Sequence, residues 1–435
     1  MITLLKRAIP ATQVLLAFAI SPVSSIAGPP DPADLSDEHA SPHTIWTRDT
    51  LTGDWGGLRS DLAELGIGID LSMTSYYAGI FSGGVVDDAF DFGHRADAFV
   101  NFDFEKLGLW EGGGFRTHLE SRFGEATSRS FPRSGGIWPP NTGVVVPLGA
   151  PERLVATSLY LTQRLGDSTN LMLGKINALD LLAADPFFGG WGRDRFTNIA
   201  FVAPPSGVVP PTIMGAILSH RAGSFSYTFM AFDPDDRTND YWPDDLFSNG
   251  VNLSAAATWS GKVAERSSSV GISATYSTKE SVDLSDFLLP PDLRSGTEEG
   301  AYNISLSFSH LLYELPDQPG KGFGIYGKAA TADGNPNPIQ GSFVGGFAGH
   351  GIVPHRPNDS FGIGYYYYNL SNQLQSAFSV LDPVFAIKDE QGIEVFYNLA
   401  VTPWFRLTAD VQWIDPARAA LPHAWVGGLR ASVTF

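Results

Sequence analysis

The sequence predicts an all-β chain: a transmembrane antiparallel β-barrel of about sixteen strands, preceded by a short N-terminal helix. Three observations predict it. The chain closes on a strand with one apolar face and an aromatic last residue, Phe435. Two-residue alternation of apolar and polar side chains recurs after Leu65, and helical periodicity does not. The links between the alternating runs are by turns short and long, the rhythm of periplasmic turns and external loops.

Taken in chain order, the N-terminus comes first. Lys6 and Arg7 precede an apolar run, Val14 to Ile20, and Ser25-Ile26-Ala27 has the small-x-small form of a cleavage site. Residues 1–27 therefore read as a secretory signal peptide, and the mature chain starts near Gly28. The run is too short to span a bilayer as a helix. The small residues behind it argue against an uncleaved anchor. Pro29 to Pro42 is rich in Pro and Asp and reads as extended or flexible. Leu51 to Gly66 puts Trp55, Leu58, Leu62 and Leu65 at helical spacing, with Asp54 as N-cap and Gly66 as stop. This short amphipathic helix completes an N-terminal segment, 28–66, ahead of a barrel over 67–435.

Four runs show the strand period most clearly. In Val251–Trp259, Leu253, Ala255, Ala257 and Trp259 share a face; in Tyr302–Phe308, Tyr302, Ile304, Leu306 and Phe308 do. In Ile393–Val401 the apolar face is Ile393, Val395, Tyr397 and Leu399, and in Phe405–Trp413 it is Phe405, Leu407, Val411 and Trp413. The final strand sets Trp425, Gly427, Leu429, Ala431, Val433 and Phe435 against Val426, Gly428, Arg430, Ser432 and Thr434. An arginine at Leu429 or Val433 is expected to cost insertion about 2–4 kcal/mol at the midplane. Leu154–Leu165 and Leu171–Asn177 alternate poorly, which leaves the strand count open by two.

A soluble β-sandwich strand has the same alternation; link length separates the two architectures. Leu165–Asn170, Arg221–Ser224, Tyr313–Lys321 and Thr402–Trp404 are short links. Phe81–His94, Gly124–Arg153, Asp180–Pro211, Asp233–Gly250, Lys279–Glu298 and Ser371–Gln391 are long ones. A Greek-key sandwich has no such rhythm.

Composition narrows the function. There is no cysteine, so an exported chain of this kind stands without disulfides. The formal charge of −18 becomes −18 − 2 = −20 once Lys6 and Arg7 are removed. Such a surface does not suit nucleic acid, which binds through Lys and Arg. Mean hydropathy near zero excludes a helical membrane protein but not a barrel, whose strands are half apolar.

Three motifs resemble the carbohydrate-selective outer-membrane porins, the OprB-like family, over about Leu51 to Phe435. The first is Leu51-Thr52-Gly53-Asp54-Trp55-Gly56-Gly57-Leu58-Arg59 with Leu62 and Gly66, similar to the family's N-terminal helical signature. The second, and most specific, is Ile393–Tyr397, Val401-Thr402-Pro403-Trp404 and Asp410–Ile414 closed by Pro416, similar to its penultimate hairpin. The third is Gly427-Gly428-Leu429-Arg430 with terminal Phe435. The resemblance implies a sixteen-stranded barrel in a Gram-negative outer membrane that passes sugars by diffusion.

A sugar path needs planar charged groups for hydroxyls and aromatic faces for the C–H face of the ring, without net charge. With Ala98, Val100, Phe102 and Phe104 facing lipid, Arg95, Asp97, Asn101, Asp103 and Glu105 face the lumen. With Phe115, Leu119 and Phe123 outward, Arg116, His118, Glu120 and Arg122 point inward. Arg95, Asp97, Glu120 and Arg122 are the first candidates for a constriction wall; the alternative is a salt-bridged interior whose charges only brace one another. Replacing Arg122 or Glu120 by Ala is expected to change sugar affinity more than folding.

Two long links are expected to fold inward. Asp180–Pro211 carries Phe187, Phe188, Trp191, Arg193, Asp194 and Arg195, and Gly124–Arg153 carries Arg129, Arg133 and Trp138. Trp191 is the candidate to stack on a pyranose; Lys175 and Asp180 lie near the start of the loop and join the candidate set. Asp233–Asp245 is an acidic loop whose spacing fits no EF-hand, so calcium there competes with plain solvation. Trp259, Trp404, Trp413, Trp425 and the run Tyr365–Tyr368 suit an interfacial girdle.

No G-x-S-x-G, H-E-x-x-H or Walker A sequence is present, and the nine histidines show no metal-ligand spacing. The expected protein is thus a channel, not an enzyme, without cofactor, whose partners are small neutral sugars and outer-membrane lipid. A general or cation-preferring porin, an outer-membrane hydrolase and a secreted sandwich lectin are the competing readings. The oligomeric state, a homo-oligomer included, is left open.

Overall fold

The computed structural model describes residues 44–435 apart from 87–88, 125–132, 138–139, 142–153, 184, 186, 188–189, 203–208, 243, 295, 317 and 381–382. The signal peptide, the Pro- and Asp-rich segment, Arg129, Trp138 and Phe188 lie outside the described residues.

Sixteen strands form one closed antiparallel barrel in which every strand pairs with its chain neighbours and β1 pairs with β16. They are β1 (Ile67–Ser82), β2 (Ala89–Asp103), β3 (Gly113–Phe123), β4 (Leu154–Leu165), β5 (Thr169–Asn177) and β6 (Thr212–Ala222). Next come β7 (Phe225–Phe232), β8 (Asn252–Val263), β9 (Arg266–Val282), β10 (Thr297–Leu315) and β11 (Gln318–Ala332). The last are β12 (Ile339–His350), β13 (Ser360–Leu370), β14 (Glu390–Ala400), β15 (Phe405–Asp415) and β16 (Ala424–Thr434). Closure leaves no strand edge unpaired, the condition for spanning hydrocarbon with β-structure.

The alternation of the sequence becomes the two faces of the wall. Leu253, Ile272, Tyr302, Ile304, Leu306, Val395, Val411 and Leu429 are exposed on the outside, while Asn252, Ser254, Ser305, Glu394, Asp410 and Arg430 are buried inside. Pairing Leu253 with Tyr276, or Ile304 with Ala274, keeps apolar groups adjacent across strands on the outer face. The run Tyr365–Tyr368 divides between the faces. Tyr366 and Tyr368 are buried inside the barrel, so only Tyr365 and Tyr367 are available to a girdle.

Several expectations are corrected. The poor alternation of β4 has a cause: His118 pairs with Ser158 but Leu119 with Ala156, which leaves Thr157 as a bulge. The Phe81–His94 link is mostly strand, because β1 runs to Ser82 and β2 starts at Ala89. Asp103 and Glu105 do not line the lumen. Asp103 Oδ1 accepts the amides of Glu105 and Lys106 in the β2–β3 turn, and Glu105 pairs at 3.5 Å with Arg164.

The N-terminal segment carries a 3₁₀ turn, Trp55–Gly57, and then α1 (Leu58–Glu64). The N-cap position of α1 is Gly57, not Asp54. Asp54 still meets an orphan helix amide, accepting from Ser60 N at 2.9 Å. Gly66, at φ +91°, ends the segment in a conformation that favours glycine. Leu51 N donates to Thr434 O at 2.8 Å and Arg59 Nη2 to Phe435 O at 2.7 Å, so this segment sits on the β1–β16 seam.

The core lies inside the barrel and is made by the β5–β6 loop, 178–211. It holds α2 (Ala178–Leu182) and α3 (Ile199–Val202), with a 3₁₀ turn at Gly190–Gly192 between them. Leu179, Leu182, Phe187, Phe196, Ile199, Phe201 and Val202 are buried with Tyr326, Val344, Tyr366, Tyr368 and Phe396 of the wall. Each such side chain stabilises docking by about 1.5–3 kcal/mol. The loop therefore crosses the interior from β5 to β11–β14. Part of the β3–β4 loop also turns inward: Ile137 N donates to Glu390 Oε2, and Pro140 O accepts from Gln412 Nε2.

Candidate functional site

Register brings the early charges together. Arg95 faces Arg122 across the β2–β3 pair, and Asp97 faces Glu120. Opposite charges thus meet along each strand and on the diagonal. Arg95 Nε donates to Asp97 Oδ1 at 2.7 Å, Arg122 Nη2 donates to Glu120 Oε2, and Arg95 Nη2 lies 3.6 Å from Glu120 Oε1. Asn177 Nδ2 and Thr157 Oγ1 donate to Glu120 Oε1 at 2.6 and 2.8 Å. All four charged residues are only 0–4 % exposed. The wall is a closed, mutually neutralised network and not a wet row of free charges.

Its centre is His118, named among the inward residues of β3 but not selected from the sequence. Nε2 lies 3.0 Å from Asp97 Oδ1, and Nδ1 lies 2.9 Å from Asp180 Oδ1. Phe99 stacks on the imidazole with centroids 3.9 Å apart. Asp97, His118 and Glu120 bring three ligand-type atoms within 4.8 Å of one another. Arg95 and Arg122 already balance those carboxylates, and both imidazole nitrogens face acids, so the arrangement is that of an ion-pair knot.

Asp180 and Trp191 complete the site from the loop side. Asn177, the last residue of β5, caps α2 by accepting from Leu179 N at 2.9 Å, which places Asp180 in the first turn. Asp180 accepts from Trp191 Nε1 at 2.8 Å and from Ser158 Oγ at 2.6 Å. Burial works to raise its carboxyl pKa, but the charge of His118 and the donors His118, Ser158 and Trp191 outweigh it and hold the carboxyl below the usual range. Trp191 lies 5.7 Å from Phe99, and the Arg193 guanidinium sits 4.8 Å over its ring. Arg193 also donates to Ser72 Oγ at 2.8 Å and pairs with Asp194 at 2.9 Å.

This loop edge meets the lumen. The side chains of Asp180, Arg193 and Asp194 are 11, 15 and 35 % exposed, and Trp191 and Phe99 are half-buried. Phe187, by contrast, is buried against Tyr326.

Lys175 is not part of this group. Its ammonium donates to Thr238 O and Asp240 O at 2.8 and 3.0 Å and sits over the Tyr241 ring, which anchors the β7–β8 loop. In that loop Arg237 gathers Asp233, Asp240 and Asp245 at 2.9–3.2 Å, and Lys279 pairs with Asp235. The acidic loop is thus held by basic side chains.

The sequence reading did not select Phe99, Arg193 or Arg430 as site components, although it placed Arg193 in an inward loop and Arg430 opposite the apolar face of the last strand. Parity with Arg95, Asp97 and Asn101 marked Phe99 as luminal, but aromatics in a barrel strand read as lipid-facing. Arg430 faces inward on β16 and donates to Gly192 O and Arg195 O of the loop.

The comparisons agree with this architecture. The family model described as carbohydrate-selective porin, OprB family, matches residues 92–435. Porin B of Pseudomonas aeruginosa is 22 % identical, with 92 % of this chain and 93 % of that protein covered. The high-pH structure of Pseudomonas putida OprB superposes with a TM-score of 0.78 at 18 % identity, covering 90 % of this chain and 100 % of that one. The low-pH structure of the same protein gives 0.57 at 16 % identity, covering 90 and 99 %. With a model match over most of its length and the same closed barrel, this chain belongs to the carbohydrate-selective, OprB-type porins of the outer membrane.

Proposed function

We propose that the protein is a passive channel through which small neutral sugars such as monosaccharides diffuse. The observation that carries this reading is the edge of the inward loop, where Trp191, Arg193 and Asp180 meet Phe99 beside a charge-balanced wall. An aromatic face suits the C–H side of a pyranose, and fixed polar groups replace part of its hydration. Arg95, Asp97, Glu120 and Arg122 support that edge from behind; Trp191 and Arg193 contact the solute, and Asp180 holds the Trp191 indole. On this reading the protein works as a channel and not as an enzyme, in keeping with its porin family and closed barrel.

The fuller picture has residues 1–27 cleaved on export from a Gram-negative cytoplasm and an N-terminal segment, 28–66, ahead of a barrel over 67–435, with its short helix on the barrel rim. Lipid surrounds the outer face, and copies of the chain associate through it if an oligomer forms. The mature charge of −18 − 2 = −20 favours a second reading, a cation-preferring general porin.

Ion current through the refolded protein in a planar bilayer separates them. Current blocked by glucose and not by amino acids supports the sugar path. Conductance without sugar block, with a cationic reversal potential, supports the general porin. No conductance removes both.

A further inference from the structure

We propose that His118 and Asp180 are positioning residues that hold the Trp191 indole in one orientation and so set how the channel discriminates between sugars. The proposal rests on the reading that solutes pass Trp191.

Trp191 adopts φ +53°, a left-handed backbone that a bulky residue takes only when its surroundings impose it. Its indole Nε1–H has one acceptor, Asp180 Oδ1 at 2.8 Å. Asp180 is fixed in turn by His118 Nδ1 at 2.9 and 3.1 Å and by Ser158 Oγ at 2.6 Å. His118 has no freedom to turn. Its two nitrogens face acids on opposite sides, Asp97 and Asp180, and Phe99 covers its ring at 3.9 Å. The result is a relay of short contacts, Asp97–His118–Asp180–Trp191, from the β2–β3 wall to the loop tip. Other charges face the knot: Arg95 and Arg193 near Asp97, and Glu120, 3.5 Å from His118 Nδ1.

The loop does not depend on this relay to stay inside the barrel. Glu394 accepts from the Thr197 and Asn198 amides at 2.6 and 2.9 Å, Arg430 holds Gly192 O at 2.9 Å, and Phe196 and Phe201 are buried against the far wall. Loss of His118 therefore acts on the indole more than on loop docking. An aromatic platform that tilts serves flat and bulky sugars unequally, and the effect appears as a changed preference between sugars.

The test is a double-mutant cycle read as sugar block of ion current, normalised to each channel's own open current. His118→Gln and Trp191→Ala are made singly and together, and half-blocking concentrations are measured for glucose and sucrose. The expected result is a change of about threefold or more in the sucrose-to-glucose ratio for H118Q, absent when Trp191 is already Ala. An equal change in both backgrounds overturns the proposal, because His118 then acts without Trp191. No change for H118Q while W191A alters block also overturns it. If W191A leaves block by both sugars untouched, the solute path itself is elsewhere and the underlying reading fails first. Should H118Q not fold by heat-modifiable gel mobility, Ser158→Ala, which removes one donor from Asp180, is expected to shift the ratio in the same direction and by less. No shift for S158A counts against the relay.

Discussion

The inward loop touches two opposite walls in two different ways. Toward β11–β14 it buries Phe187, Phe196 and Phe201 against Tyr326, Tyr366 and Phe396, with centroid spacings of 4.8–6.1 Å. Toward β2 and β3 it offers Asp180, Trp191 and Arg193 to His118, Asp97 and Phe99. The first contact is non-directional and proportional to buried area. The second is directional, and each partner fixes an angle. The apolar wall decides that the loop is inside; the charged wall decides where its polar groups point.

The comparison breaks most readily on the apolar side. Phe201→Ala should cost loop docking about 3–5 kcal/mol, seen as raised and noisier conductance and as new proteolytic cleavage within 178–211. Unchanged conductance would mean that the loop is held by its polar contacts. Next comes Glu120→Ala. The sequence put Glu120 and Arg122 on a wet face, where sugar affinity suffers before folding. Their burial reverses that expectation, because E120A takes a buried carboxylate from both Arg95 and Arg122, at a cost of about 3 kcal/mol. A lower unfolding midpoint in urea is the check, and E120A with wild-type stability would restore the wet-face view.

Glu394→Gln sharpens the comparison. It keeps one acceptor oxygen but turns the other into an NH2 that cannot accept, so one of the Thr197 and Asn198 amides loses its partner and the loop should loosen by about 1–2 kcal/mol. More frequent brief current fluctuations at wild-type mean conductance would report it. The smallest effect belongs to the outer loop. Burial works to raise Asp235, but the Lys279 and Asn249 hydrogen bonds and the charges of Lys279 and Arg237 hold its carboxyl below the ordinary range. The folded-state pKa is the lower one, so this stabilisation is present above the ordinary aspartate range and fades as pH falls through the lowered value. Asp235→Asn should change stability by less than about 1 kcal/mol at neutral pH and abolish that acid-side slope.

Much of the barrel was legible because period two survives translation into structure: Leu253, Tyr302, Val395 and Leu429 are exposed as their parity requires. The signal failed where geometry departs from two residues per repeat, as at the Thr157 bulge, or where a polar turn residue continues the parity of a strand, as at Glu105. In the site, parity brought Arg95, Asp97, Glu120 and Arg122 together, but it carried no information about burial. That depends on a loop more than fifty residues further along the chain. Nor did it separate Lys175 from them. An inward lysine reads the same whether it faces the lumen or donates to two carbonyls of another loop. Tyr366 and Tyr368 were misread for the converse reason, since an aromatic run suggests lipid and gives no hint of a phenylalanine waiting inside.

One detail limits how this protein can change length. Asn177 is both the last residue of β5 and the cap of α2, while its side chain also reaches Glu120. There is no slack between strand and loop. An insertion or deletion within β5 would be carried directly to Asp180 and turn the carboxylate away from His118 and Trp191. At the exposed tip of the β7–β8 loop, around Trp242 and Asp244, the same change would be absorbed in solvent. Sequence drift and engineering alike should find indels tolerated on the outer surface and refused in the five residues that lead from Lys175 to Leu179.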